Sequence, residues 1–104
     1  SGRIRRSYIG VAGQSIPLHR RLVRIHDLEA GNGVLVVSVE HGSPAEKSGL
    51  RDGDIVVALD GHSTAGVDDL HRLLTEERIG RPCALTCLRY GDRRTVQITP
   101  EDAK

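Results

Sequence analysis

The chain has 104 residues, of which 38% are hydrophobic, 28% charged and only 2% aromatic. That length suits one compact domain and excludes two ordinary ones, and no stretch approaches the ~20 apolar residues of a membrane-spanning helix. The net charge of +1 hides an asymmetry, because residues 1–26 carry six arginines (Arg3, Arg5, Arg6, Arg20, Arg21, Arg24) and no acid, on an otherwise acidic body. Such a positive field favours an anionic partner, and both a nucleic acid and a peptide carboxylate qualify.

In chain order, residues 1–7 read as a basic tail or linker, and the Ser-Gly start followed by arginines reads as a piece excised from a larger protein. The apolar, Gly-punctuated run 8–13 (YIGVAG) leads into a strand. Leu18, Leu22 and Ile25 recur at i, i+4, i+7 behind Pro17, which predicts an amphipathic helix ending near Asp27. A turn at 31–33 (GNG) precedes the strongest strand, 34–39 (VLVVSV), a β-branched run suited to burial on both faces. Ser43, Pro44 and Glu46 then form a capping-box start for a short helix that Gly49 closes. Residues 51–54 (RDGD) turn the chain into a strand over 55–59, and Asp60-Gly61 turns it again. A helix is predicted over 67–77, with Asp68 and Asp69 in its positive first turn. Strands at 85–90 and 94–99 make a hairpin across Gly91-Asp92. The chain is α+β: a partly open barrel or sandwich of five to six strands capped by two to three helices. The core must be built from Val, Leu, Ile and Ala, since Tyr8 and Tyr90 are the only aromatic residues.

Cys83 and Cys87 lie four apart in an extended segment, hence on one face and ~13 Å from each other. That exceeds the reach of a disulfide, so they are expected as free thiols in the core. No serine stands in a G-x-S-x-G setting, and the five histidines form no H-E-x-x-H motif. Residues 51–54 lack the later bidentate Glu of a calcium loop. The segment is therefore not expected to be catalytic, and nothing calls for a cofactor or a metal. Nucleic-acid binding would need aromatic platforms or base-reading side chains. Only Tyr8 stands near the basic segment, so no nucleic acid is expected.

Residues 42–56 (GSPAEKSGLRDGDIV) resemble the G-S-P-A-x-x-(A/S)-G-L-x-x-G-D-x-I signature of PDZ domains. About thirty residues upstream, Tyr8-Ile9-Gly10-Val11 is similar to the carboxylate-binding loop of the HtrA/Deg subfamily, whose members are trypsin-type serine proteases. The helix and final hairpin match the remaining elements in a permuted bacterial order, so the domain is expected over 8–100 with a tail at 101–104.

The resemblance implies capture of free peptide C-termini by strand addition. Tyr8, Ile9, Gly10 and Val11 would form the carboxylate loop, where glycine lets successive amides converge on one anion. Ala12, Gly13 and Gln14 would carry the added strand. Val67, His71 and Leu74 would face the groove from the helix, with Leu70 and Leu73 turned to the core. Leu74, Ile9 and Val11 would favour an apolar last residue, and Val67 would favour an apolar one two positions earlier. Arg5 and Arg6 would attract the carboxylate. The implied parent is a periplasmic bacterial endopeptidase with its protease domain N-terminal to this segment, acting in protein quality control on misfolded or signalling proteins. Two readings stand beside it: a PDZ scaffold or regulator without a protease of this type, as in an intramembrane protease or a secretion protein, and anion or nucleic-acid binding through the arginines.

Overall fold

The computed structural model describes residues 6–103. Its framework is a sheet of the strands β2 (Val11–Pro17), β3 (Asn32–Val39), β4 (Ile55–Leu59), β6 (Cys83–Arg89) and β7 (Asp92–Ile98) in that order. The short β5 (His62–Ser63) pairs with β4 as a sixth strand, and every pairing is antiparallel. A separate two-stranded ladder joins β1 (Ser7–Tyr8) to β8 (Glu101–Asp102). Three helices, α1 (Arg20–Ile25), α2 (Pro44–Ser48) and α3 (Val67–Leu73), and a 3-10 turn at Glu76–Arg78 complete it.

The core is aliphatic throughout. Ile9, Val34, Val36, Val56, Leu59, Leu70, Leu74, Leu85 and Ile98 cluster with Ala45, Leu50 and the free thiols Cys83 and Cys87. Burial pushes the Cys87 thiol up to about 11 and raises Cys83 as well.

The local signals of α2 are realised almost atom for atom. Ser43 Oγ accepts from the Glu46 amide at 3.3 Å, and Gly49 closes the helix at φ 91°. The Glu46 carboxylate takes the Gly42 amide at 2.7 Å rather than that of Ser43, which turns back to Glu40 O. This hydrogen bond from Gly42 is the main cause that holds Glu46 below its usual value. At the next turn, Asp54 accepts both Arg89 Nε and Nη2 at 2.8 Å and the Arg51 amide at 2.9 Å. Burial works to raise its pKa, but the Arg89 guanidinium and the Arg51 amide outweigh it and hold the carboxyl low.

Several elements differ from the sequence expectation, each for a tertiary reason. The 34–39 run is not buried on both faces: Val34 and Val36 are buried, whereas Leu35 and Val39 are half-buried and Val37 is 53% exposed. Asn32 and Gly33 already belong to β3; a Cβ on Gly33 would stand 2.8 Å from Ile55 Cγ2, so glycine there permits close pairing rather than a turn. The final hairpin turns one residue earlier, at Tyr90-Gly91, with φ 52° and 81°. Positive φ at both positions matches the right-handed twist of the strands, and the Tyr90 side chain stands wholly in solvent. The helix predicted over 67–77 stops at Leu73 because tertiary partners take its last carbonyls. Arg6 Nη1 donates to His71 O, Arg78 Nη1 to Leu73 O and the Ser7 amide to Leu74 O. Glu101–Asp102, expected as tail, pair with Ser7–Tyr8.

A groove between strand β2 and helix α3

A groove of about 710 Å³ opens between β2 and α3. Its closed end is the loop Tyr8-Ile9-Gly10, and its floor is Ile9, Val11, Leu70 and Leu74. Three of those floor residues are almost fully buried: Ile9 at 2%, Leu70 at 2% and Leu74 at 5%.

The loop is locked onto the start of α2. Ala45 N–H donates to Ile9 O at 2.8 Å, and Glu40 N–H donates to Gly10 O at 2.8 Å. Gly10 sits at φ 85°, and a Cβ there would overlap Ser43 Cβ, stand 2.6 Å from Ser43 Oγ and 3.0 Å from the Tyr8 hydroxyl. Both the left-handed conformation and the lack of space require glycine. The two sequence motifs, thirty residues apart, thus form a single contact.

On the open side, β2 is an edge strand of the sheet. The Glu40–Gly10 bond places Val11 in a non-hydrogen-bonded pair with Val39, so the Val11 amide points away from β3 and toward the groove. Unpaired amides along such an edge are a template for another strand. An apolar pit therefore lies next to backbone donors, a combination that fits an apolar side chain carried beside a carboxylate.

Of the groove residues expected from sequence, Tyr8, Ile9, Gly10, Val11, Ala12, His71, Leu74 and Arg6 line the cavity. Arg5 lies outside the described residues. Gly13 and Gln14 belong to β2 but not to the lining, and neither does Val67. Val67 instead packs against the core, with its Cγ2 3.7 Å from where a Gly13 Cβ would be. The face of α3 is rotated from the expected one: Asp68, Leu70, His71 and Arg72 line the groove with Leu74. Leu70, assigned to the core, serves both core and groove. Leu73 packs against the core as expected.

Sequence reasoning also missed Ser7, Ser38 and Glu40 in the lining. Ser38 lies near the end of β3 and Glu40 just beyond it, brought to the groove by the pairing of Ala12 with Ser38 and the Glu40–Gly10 hydrogen bond. Asp68, His71 and Arg72 follow the i, i+3, i+4 spacing of one helical face, a signal that was available.

The rim carries both signs of charge. Arg6 is fixed by its 3.0 Å bond to His71 O, and Arg72 is paired with Asp69 at 2.8 Å. The exposed arginines Arg20, Arg21 and Arg24 lie on α1, away from this lining. That helix docks on the β6–β7 turn, where His26 Nε2 meets Gly91 O at 2.8 Å.

The PDZ domain pattern matches residues 8–99. The chain belongs to the PDZ domain family. This PDZ domain is 36% identical over 107 residues to a probable periplasmic serine endoprotease DegP-like of Rhizobium meliloti (strain 1021), covering 99% of the chain and 21% of that protein. It spans about a fifth of the length of the curated relatives it matches. Among solved structures it superposes on the serine endoprotease from Yersinia pestis with a TM-score of 0.76 at 26% identity, covering 100% of this chain and 32% of that one. It also superposes on the HtrA3 PDZ domain bound to a phage-derived ligand (FGRWV), with a TM-score of 0.70 at 25% identity, covering 95% and 88% of the two chains. No helix among the described residues is long and apolar enough to cross a membrane.

Proposed function

We propose that this PDZ domain captures free peptide C-termini ending in an apolar residue, and that it does so as the recruiting or regulatory module of an HtrA/Deg-like serine endoprotease. The observation that carries the reading is the meeting of two features at one place. The exposed edge of β2 ends in a glycine-locked loop, and the apolar pit of Ile9, Val11, Leu70 and Leu74 lies directly beside it.

An incoming peptide adds to β2 as an antiparallel strand. Its carboxylate meets the amides of Ile9, Gly10 and Val11, a nest that favours an anion. Its last side chain enters the pit. Arg6 adds long-range attraction, since its guanidinium is held over the end of α3. Tyr8, half-buried, stands beside the loop, its hydroxyl 3.0 Å from where a Cβ on Gly10 would be. The HtrA3 PDZ domain, of the same fold, is bound to a ligand ending in valine, which supports an apolar terminal preference here. The DegP-like relatives support a periplasmic parent with the protease domain on the same chain. The domain then holds misfolded or signalling proteins near that protease.

The test is calorimetric titration with a peptide ending in Leu-Val, beside the same peptide amidated at its C-terminus. Micromolar binding that is lost on amidation and in Leu74→Glu is the expected result. Equal binding of both peptides would overturn the loop assignment. Binding that instead falls steeply with salt and ignores the C-terminus would move the site to the arginines of α1.

A further inference from the structure

The groove does not run the length of β2. The N-terminus of α3 has no side-chain cap of its own, because the cap residue is Gly66. Its first amide is satisfied from across the groove: Val67 N–H donates to Ser15 Oγ at 2.9 Å. Gly66 stands so near that a Cβ on it would lie 2.9 Å from the same oxygen. One residue pair further in, the Val67 side chain stands over Gly13. On the β2 side the lining accordingly reaches Val11 and Ala12 and goes no further.

From these contacts we infer that Ser15 closes the groove and limits recognition to the last three residues of a peptide. The inference rests on the proposed capture of C-termini at this groove. With the terminal residue beside Val11, an antiparallel strand advances ~3.3 Å per residue along β2. The third residue from its end then lies opposite Gly13, under Val67. A fifth would have to pass between Ser15 and Val67, where a hydrogen bond now stands. The clasp ties the first amide of α3 to β2, so a strand extending past it must displace that hydrogen bond. Residues upstream of the third therefore leave the groove for solvent and add little contact.

The experiment compares N-acetylated tripeptide and hexapeptide ligands ending in the same Leu-Val sequence, in the unmodified domain and in Ser15→Ala and Ser15→Thr. Extension from three to six residues is expected to tighten binding less than twofold in the unmodified domain and in Ser15→Thr, which keeps the Oγ. In Ser15→Ala the same extension is expected to gain fivefold or more. Amide hydrogen exchange at Val67 should accelerate in Ser15→Ala and not in Ser15→Thr, a readout independent of any ligand. A tenfold gain on extension in the unmodified domain overturns the inference, as does identical length dependence in all three proteins. If carboxylate-dependent binding is present but length behaves in this way, only the clasp fails. If no peptide binds through its free C-terminus, the capture reading fails and the inference falls with it.

Discussion

Replacing Gly10 with alanine tests the central contact of the molecule. Gly10 holds φ 85°, a left-handed conformation that costs an ordinary residue roughly 1–2 kcal/mol. The new methyl group would also overlap Ser43 Cβ and approach Ser43 Oγ to 2.6 Å. Ser43 is buried and cannot swing away without giving up its cap on Glu46 and its 2.7 Å bond to Glu40 O. Crowding of this kind costs roughly 1–3 kcal/mol. The single variant should therefore lose about 2–5 kcal/mol, a large part of the stability of a domain this size. Ser43→Gly in the same chain removes the overlap at a cap cost of only about a few tenths of a kcal/mol. The double variant should retain the conformational penalty alone, so the two substitutions should couple favourably by about 1–3 kcal/mol. Urea unfolding followed by circular dichroism is the suitable assay, because the chain has no tryptophan and Tyr90 is fully exposed. Equal losses from Gly10→Ala with and without Ser43 would refute the argument that the two motifs meet there.

The remaining predictions concern the buried groups. Asp54→Asn removes the charge partner of Arg89 and should destabilise the domain near neutral pH, seen as a lower urea midpoint. Because the folded Asp54 pKa is depressed, its contribution is present above the unfolded carboxylate value of about 3.9 and lost as pH falls through the folded value. The gap between the two proteins in urea midpoints should thus narrow below about pH 4; a gap constant from pH 7 to pH 3 would contradict the ion-pair account. Cys83 and Cys87 are buried and their thiols raised, Cys87 to about 11. A thiol reagent at neutral pH should label neither until the domain unfolds, and rapid labelling of the native protein would show that the β6 face opens locally.

Local chemistry already specified much of this protein before any fold was known. The cap at Ser43, the left-handed Gly49 and the turn ahead of Asp54 depend on residues within a few positions of each other, and the structure forms all three. The Tyr-Ile-Gly-Val loop and the Ser-Pro-Ala helix pointed to a PDZ domain because each needs its own residue types. Only the tertiary structure decided where α3 ends and which way it faces. Its last carbonyls are claimed by Arg6, Ser7 and Arg78, and its first amide by Ser15, partners between 5 and 67 positions away. Those contacts turn Asp68, Leu70 and Arg72 into the groove and withdraw Val67 from it. Helical periodicity defines a face but not its direction, because direction is set by whichever distant groups satisfy the helix ends.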